Sequence, residues 1–105
     1  MDDKDRAARH HELERGDQAR AILDNPLYSA SFAAVEADLM HRWKTDAALD
    51  AEGRERVFLM VTLLNQVQMV LTGHMQTGEM ARVQLVQEKT RRERMKDGLR
   101  AATGH

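Results

Sequence analysis

The stretch Val57–Gly78, VFLMVTLLNQVQMVLTGHMQTG, contains no Asp, Glu, Lys or Arg. Its opening run, Val57-Phe58-Leu59-Met60-Val61 and then Leu63-Leu64 after Thr62, is apolar all round a helix. Such a helix needs cover on more than one side. Val57, Leu64 and Leu71 recur every seven residues, with Met60, Val67 and His74 between them, and this spacing predicts an a/d seam of about three heptads. Leu59, Leu63, Gln66 and Val70 form a second stripe on another face. Two stripes on one helix imply two clients, the chain's own helices and another subunit. A membrane span is the rival reading. Thr62, Asn65, Gln66, Gln68, Thr72, His74, Gln76 and Thr77 interrupt the run, and its clean part falls well short of the ~18–20 residues a span needs. A buried helix is expected.

Upstream, Asp50 is placed to cap this helix, with Ala51-Glu52-Gly53 in its first turn, where an acid suits the helix dipole. Downstream, Thr77-Gly78-Glu79 reads as a stop, with Gly78 at the left-handed cap position. Residues 80–87 then carry Met80, Val83 and Val86 at helical spacing. Ala81-Arg82-Val83-Gln84-Leu85 also alternates like a strand, so an edge strand is the second option there. Helix is favoured because Val86-Gln87-Glu88-Lys89 leads into strong helix formers. Residues 89–100, KTRRERMKDGLR, predict a basic, exposed helix that frays at Gly98 and beyond.

Asn25-Pro26 is the clearest punctuation. Proline suits the first helical position, whose N–H has no partner anyway, and Asn is a favoured cap. One helix is therefore expected over 2–24 and another over 26–44, ended by Thr45-Asp46. The second carries Tyr28, Phe32, Val35, Leu39 and Trp43 on one face, and Ala30, Ala33, Ala34 and Ala37 would let a neighbour approach closely. The first is charge-laced. Asp2/Arg6 and Asp5/Arg9 are acid-before-base pairs one turn apart, Gly16 weakens its middle, and residues 1–12 are expected to be solvated or frayed. The predicted fold is all-α: a helical hairpin or small helical bundle with a long uncharged central helix and charged terminal helices. Its segments are a charged N-terminal helix over 1–16, a helical core over 17–88 and a basic tail over 89–105.

A chain of 105 residues permits one domain with one core. It has no cysteine, which excludes disulfides, thiolate metal sites and a cysteine nucleophile. The first residues, Met-Asp-Asp-Lys-Asp-Arg, have no apolar stretch behind them, so no secretory signal is expected. The net charge is −1, but it is unevenly spread. Residues 1–56 hold nine basic and thirteen acidic groups, a net of −4; residues 57–81 hold Glu79 alone; residues 82–105 hold seven basic and three acidic groups, a net of +4. Copies would attract head to tail, although screening over ~8–10 Å makes that weak alone.

Chemistry-bearing constellations are few. His10, His11, Glu12 and Glu14 share a helical turn, but two or three ligands on a mobile turn give no closed metal shell. His41 beside Trp43 reads as the rim of a core, and His74 as a polar residue at a heptad position, with a pH-sensitive element as the sharper reading. Ser29 and Ser31 have no base nearby in sequence, Glu36 and Asp38 point to different sides of a helix, and no Gly-rich phosphate loop occurs. No catalytic residue, cofactor site or metal site is expected, and the chain is not read as an enzyme. Two interaction surfaces are expected instead. Val57, Met60, Leu64, Val67 and Leu71 are the oligomer interface; Arg91, Arg92, Arg94, Lys96 and Arg100 are the side chains that would meet the phosphates of a nucleic acid.

The segment Ala21-Ile22-Leu23-Asp24-Asn25-Pro26-Leu27, followed by Phe32, Trp43-Lys44-Thr45 and the uncharged helix to Thr77-Gly78-Glu79, resembles small helical proteins encoded among the head and packaging genes of tailed phages and prophages, over roughly residues 17–85. The resemblance implies a virion or packaging component and transfers no functional residue. The chain is also similar to small terminase subunits, whose central helical hairpin builds a ring, though it lacks their N-terminal DNA-binding unit. The expectation is a non-enzymatic, homo-oligomerising structural or adaptor protein that works in phage virion assembly or DNA packaging. It would be found in a bacterial cytoplasm or in a virion, with itself, other phage structural proteins and DNA as partners and no membrane. A DNA-binding packaging factor is the alternative, and an inhibitor docking a helix face onto a host protein is a third reading.

Overall fold

A computed structural model describes residues 1–45 and 50–103, less the Thr103 side chain. The protein is all-α: α1 spans Asp3–Leu23, α2 Pro26–Thr45 and α3 Ala51–Thr103. Among the described residues there is no strand, and 80–87 is helical.

Side-chain caps set the helix starts. The Asp2 carboxylate accepts from the Asp5 N–H at 2.7 Å, opening α1. Asn25 Oδ1 accepts from the Leu27 and Tyr28 N–H groups at 2.9 and 3.2 Å, with Pro26 in the first helical position. Asp50 Oδ1 accepts from the Gly53 N–H at 2.7 Å, as its place ahead of α3 predicts. The expected end of α2 at Thr45 holds, while Asp46, read as part of the same stop, lies outside the described residues.

The expected stop at Thr77-Gly78-Glu79 is corrected. α3 runs through it unbroken, and no glycine has positive φ among the described residues. Gly78 is buried inside the helix, and packing against α1 accounts for it.

The chain divides into two compact units, one of residues 1–18 with 74–105, the other of residues 19–73. In the first, α1 and α3 run antiparallel. A methyl group built on Gly16 would lie 2.7 Å from the Gly78 α-carbon and 2.9 Å from the His74 carbonyl oxygen, so the two backbones touch there. Glycine inside a helix costs about 1 kcal/mol relative to alanine, and close backbone contact offsets that. Ala81, almost wholly buried, keeps the same face of α3 narrow.

Ten residues back along α1, Arg6 meets Glu88, ten residues on along α3. Its guanidinium donates to both carboxylate oxygens, at 2.7 and 3.5 Å. Side-chain exposures of 27% for Arg6 and 10% for Glu88 make this pair half-sheltered from solvent. Arg6 also bonds Asp3 at 2.8 Å, and Arg9 bonds Glu12 at 2.6 Å, so the realised pairs differ from the expected Asp2/Arg6 and Asp5/Arg9. Arg82 reaches Asp17 across the same interface at 2.9 Å.

In the second unit Leu39 and Val57 are buried, and Tyr28, Phe32 and Trp43 are half-buried. Tyr28 and Phe32 stack at a tilt, with centroids 6.2 Å apart. The Arg54 guanidinium lies over the Trp43 ring at 5.8 Å, fastening the end of α2 to the first turn of α3 by a cation–π contact. One member of the expected α2 stripe is corrected. Val35 is exposed and Glu36 is half-covered in its place, because between Phe32 and Leu39 a 3.6-residue helix puts positions 35 and 36 on opposite flanks of the buried line.

Candidate interaction surfaces

α3 carries the features that matter, and its repeat divides them. Val57 is buried, Leu64 and Leu71 are half-buried, and the same seven-residue step continues through buried Gly78 and half-buried Leu85. These positions are covered inside the chain. Met60 and Val67, expected beside them, are exposed, whereas His74, Ala81 and Glu88, further along the same step, are covered. The five residues read from the sequence as one interface therefore fall into two sets. Val57, Leu64 and Leu71 serve the chain's own packing, and Met60 and Val67 face outward.

The outward face within residues 57–73 is apolar and lies along the second stripe. Leu59, Leu63 and Val70 are 49%, 61% and 60% exposed, and Gln66, between them, is exposed too. Phe58 and Met69 flank it on one side, Met60 and Val67 on the other. Thr62 adds no unmet donor, since its hydroxyl donates to the Phe58 carbonyl at 2.9 Å. No large side chain is fully buried among the described residues. Contiguous exposed apolar surface of this kind marks a contact site. By length and composition α3 is also apolar enough to cross a membrane, and only 6% of its most apolar 18-residue window is buried.

The second surface is the basic end of α3. Arg91, Arg92, Arg94, Lys96 and Arg100 are all exposed. At the register set by Arg6–Glu88 and Gly16–Gly78, Asp3 at the start of α1 stands opposite residue 91. Beyond it α3 has no stretch of α1 to lie against. Arg92 leans back to Glu88 at 3.7 Å. Arg91 and Arg94 border a shallow groove with Val86, Thr90 and Met95. The Glu88 carboxyl is held below its ordinary value, first by the hydrogen bond from Arg6, against an opposing burial cost, with the charges of Arg6 and Arg92 adding to the shift. Arg6 is pushed the other way, chiefly by the same bond.

The described histidines gather no metal site. His10 and His11 are exposed, and the His11 ring sits 3.4 Å from the Arg15 guanidinium. Among the described residues no group of three His, Cys, Asp or Glu side chains is arranged to hold a metal ion. His41 is exposed beside half-buried Trp43, and His74 is half-buried where its carbonyl borders Gly16.

Sequence reasoning missed the Gly16–Gly78 contact and the Arg6–Glu88 fork, which join residues far apart in the chain. Two glycines inside otherwise helical patterns were the available signal for the first. The second carried none. Compared with models of protein families, with curated proteins and with solved structures, the chain matches none.

Proposed function

We propose that this chain is a non-enzymatic structural or adaptor protein that homo-oligomerises through the outward apolar face of α3. The observation that carries the reading is the exposed stripe Leu59, Leu63 and Val70 on a helix whose opposite face is already occupied. At roughly 25 cal/mol per Å², covering such side chains strongly favours association. The antiparallel run of α1 on α3 supports the finer reading of a helical hairpin as the building unit.

A protein partner suits this face better than lipid. Gln66 sits in the middle of the stripe, and Thr62, Asn65, Gln68 and Thr72 spread polar groups round the rest of the helix. A protein interface can pair amides, whereas hydrocarbon leaves them without partners. The proposed setting is therefore the bacterial cytoplasm or a virion, and the resemblance to phage head and packaging proteins makes virion assembly or DNA packaging the proposed process. Light scattering tests the core of this: an oligomer in detergent-free buffer supports it, and a chain that stays dispersed only in detergent or lipid gives the face to a membrane.

One observation favours a second reading, DNA contact by the end of α3. Arg94, Lys96 and Arg100 stand on helix beyond the start of α1, and an isolated helix of about a dozen residues is marginal by itself. A polyanion laid along it would neutralise the charges and stabilise the helix. Steeply salt-dependent binding to duplex DNA is the expected sign; binding indifferent to salt contradicts it.

A further inference from the structure

We infer that the partner on the outward face of α3 is a second copy lying antiparallel, with Gln66 at the two-fold axis and Leu59 of each copy seated over Gly73 of the other. This rests on the self-association proposed above and adds its direction and register.

Gly73 is the starting observation. It lies in the interior of a 53-residue helix, where glycine is unfavourable by about 1 kcal/mol relative to alanine. Gly16 and Gly78 offset that cost by touching each other, but a methyl group on Gly73 would meet nothing within 4 Å. The chain itself supplies no reason for this glycine. Gly98, which also has open space around it, lies in the last turns of the helix, where the cost is small.

The position of Gly73 supplies the reason. Leu59, Leu63, Gln66, Val70 and Gly73 follow one another at steps of four, three, four and three, so Gly73, itself half-buried, follows the exposed residues on the same stripe. A copy reversed about Gln66 sets Leu59 against Gly73, a large side chain over a gap, and Leu63 against Val70, two branched side chains in contact. Gln66 meets its own counterpart. An amide carries both donors and an acceptor, so two glutamines related by a two-fold axis satisfy each other. The polar residue of the stripe thereby finds a partner at the axis of the reversed pair.

Charge chooses the same direction. Residues 82–105 carry a net +4 and residues 1–56 a net −4. Two α3 helices side by side in parallel would bring both basic segments to one end. Reversed, they lie at opposite ends, where their like charges do not meet.

The absence of cysteine makes the test direct. Three variants are prepared, Leu59→Cys, Gln66→Cys and Gly73→Cys, each at an exposed or half-exposed position, and mass is first measured under reducing conditions. On oxidation, Gln66→Cys should cross-link to itself. Leu59→Cys and Gly73→Cys should cross-link to each other when mixed, and neither to itself, since residue 59 of one copy lies roughly 21 Å from residue 59 of the other and a disulfide needs α-carbons within about 7 Å. Self-linking by all three would mean a parallel pair and overturn the inference while leaving self-association intact. No cross-links from chains that are oligomeric when reduced would move the interface to another face. A reduced, unsubstituted chain that is monomeric would remove the self-association on which the inference rests.

Discussion

Gly16 and Gly78 face each other across the α1–α3 interface so closely that a methyl group on Gly16 would lie 2.7 Å from the Gly78 α-carbon. A methyl group on Gly78 would in turn lie 2.7 Å from the Gly16 α-carbon and 3.1 Å from the Glu12 carbonyl oxygen. The obstacle in both directions is backbone, which cannot swing aside as a side chain can.

Alanine at either position should therefore destabilise the protein, although it is the better helix former. The net loss expected is about 1–3 kcal/mol, the usual cost of overpacking. Gly98→Ala is the control, because open space surrounds it and alanine there should leave stability unchanged or slightly raised. Thermal melts followed by circular dichroism read all three. A rise in melting temperature for Gly16→Ala would contradict the close approach.

The Arg6–Glu88 fork predicts a pH dependence. The Glu88 carboxyl titrates below its ordinary value of 4.5, chiefly because Arg6 bonds its charged form. A carboxyl lowered in the folded state stabilises the fold above its unfolded value and loses that contribution as pH falls through its folded value. Glu88→Gln should therefore be less stable than the parent chain at neutral pH and converge with it in acid. Parallel stability curves for the two chains between pH 7 and pH 2 would show that Glu88 contributes nothing through its charge.

Adjacent leucines on α3 should behave differently. Leu63 is exposed and Leu64 half-buried against the chain's own helices. Leu63→Lys should keep the helix content and melting of a folded chain yet lower its mass in solution. Leu64→Asp puts a charge into the intrachain seam and should cost several kcal/mol of stability. If Leu63→Lys left the mass unchanged, the outward face would not be the contact.

The basic end of α3 is tested by reversing charge at two residues outside the ion pairs formed among the described residues. Arg91→Glu with Arg94→Glu avoids Arg92, which leans on Glu88. If DNA lies along this helix, the double variant should flatten the salt dependence of binding and weaken it at least tenfold. Undiminished binding by the variant would exclude this segment as the contact.

Much of the fold could be read from short-range chemistry. Asn25-Pro26 and Asp50 cap helices where their side chains predict, because a cap depends only on residues two or three away. The uncharged run of α3 and its two stripes were legible because helical period is local. Gly78 was misread for the converse reason. A glycine after a helical stretch looks like a cap, and only Gly16, brought alongside by folding, shows that it is a packing surface. Likewise Arg6 and Glu88 stand 82 residues apart, and each has nearer charges that a sequence reading pairs first. For the interaction surfaces, the seven-residue step found the helix face but not which members of it the chain keeps for itself. That division depends on where α1 and α2 lie.

The most direct measurement is the solution mass of the unmodified chain by light scattering at tens of micromolar, in low and high salt and without detergent. An oligomer whose mass does not change with salt is the expected result, since the proposed contact is apolar. A monodisperse monomer of 12.0 kDa under both conditions would contradict the account.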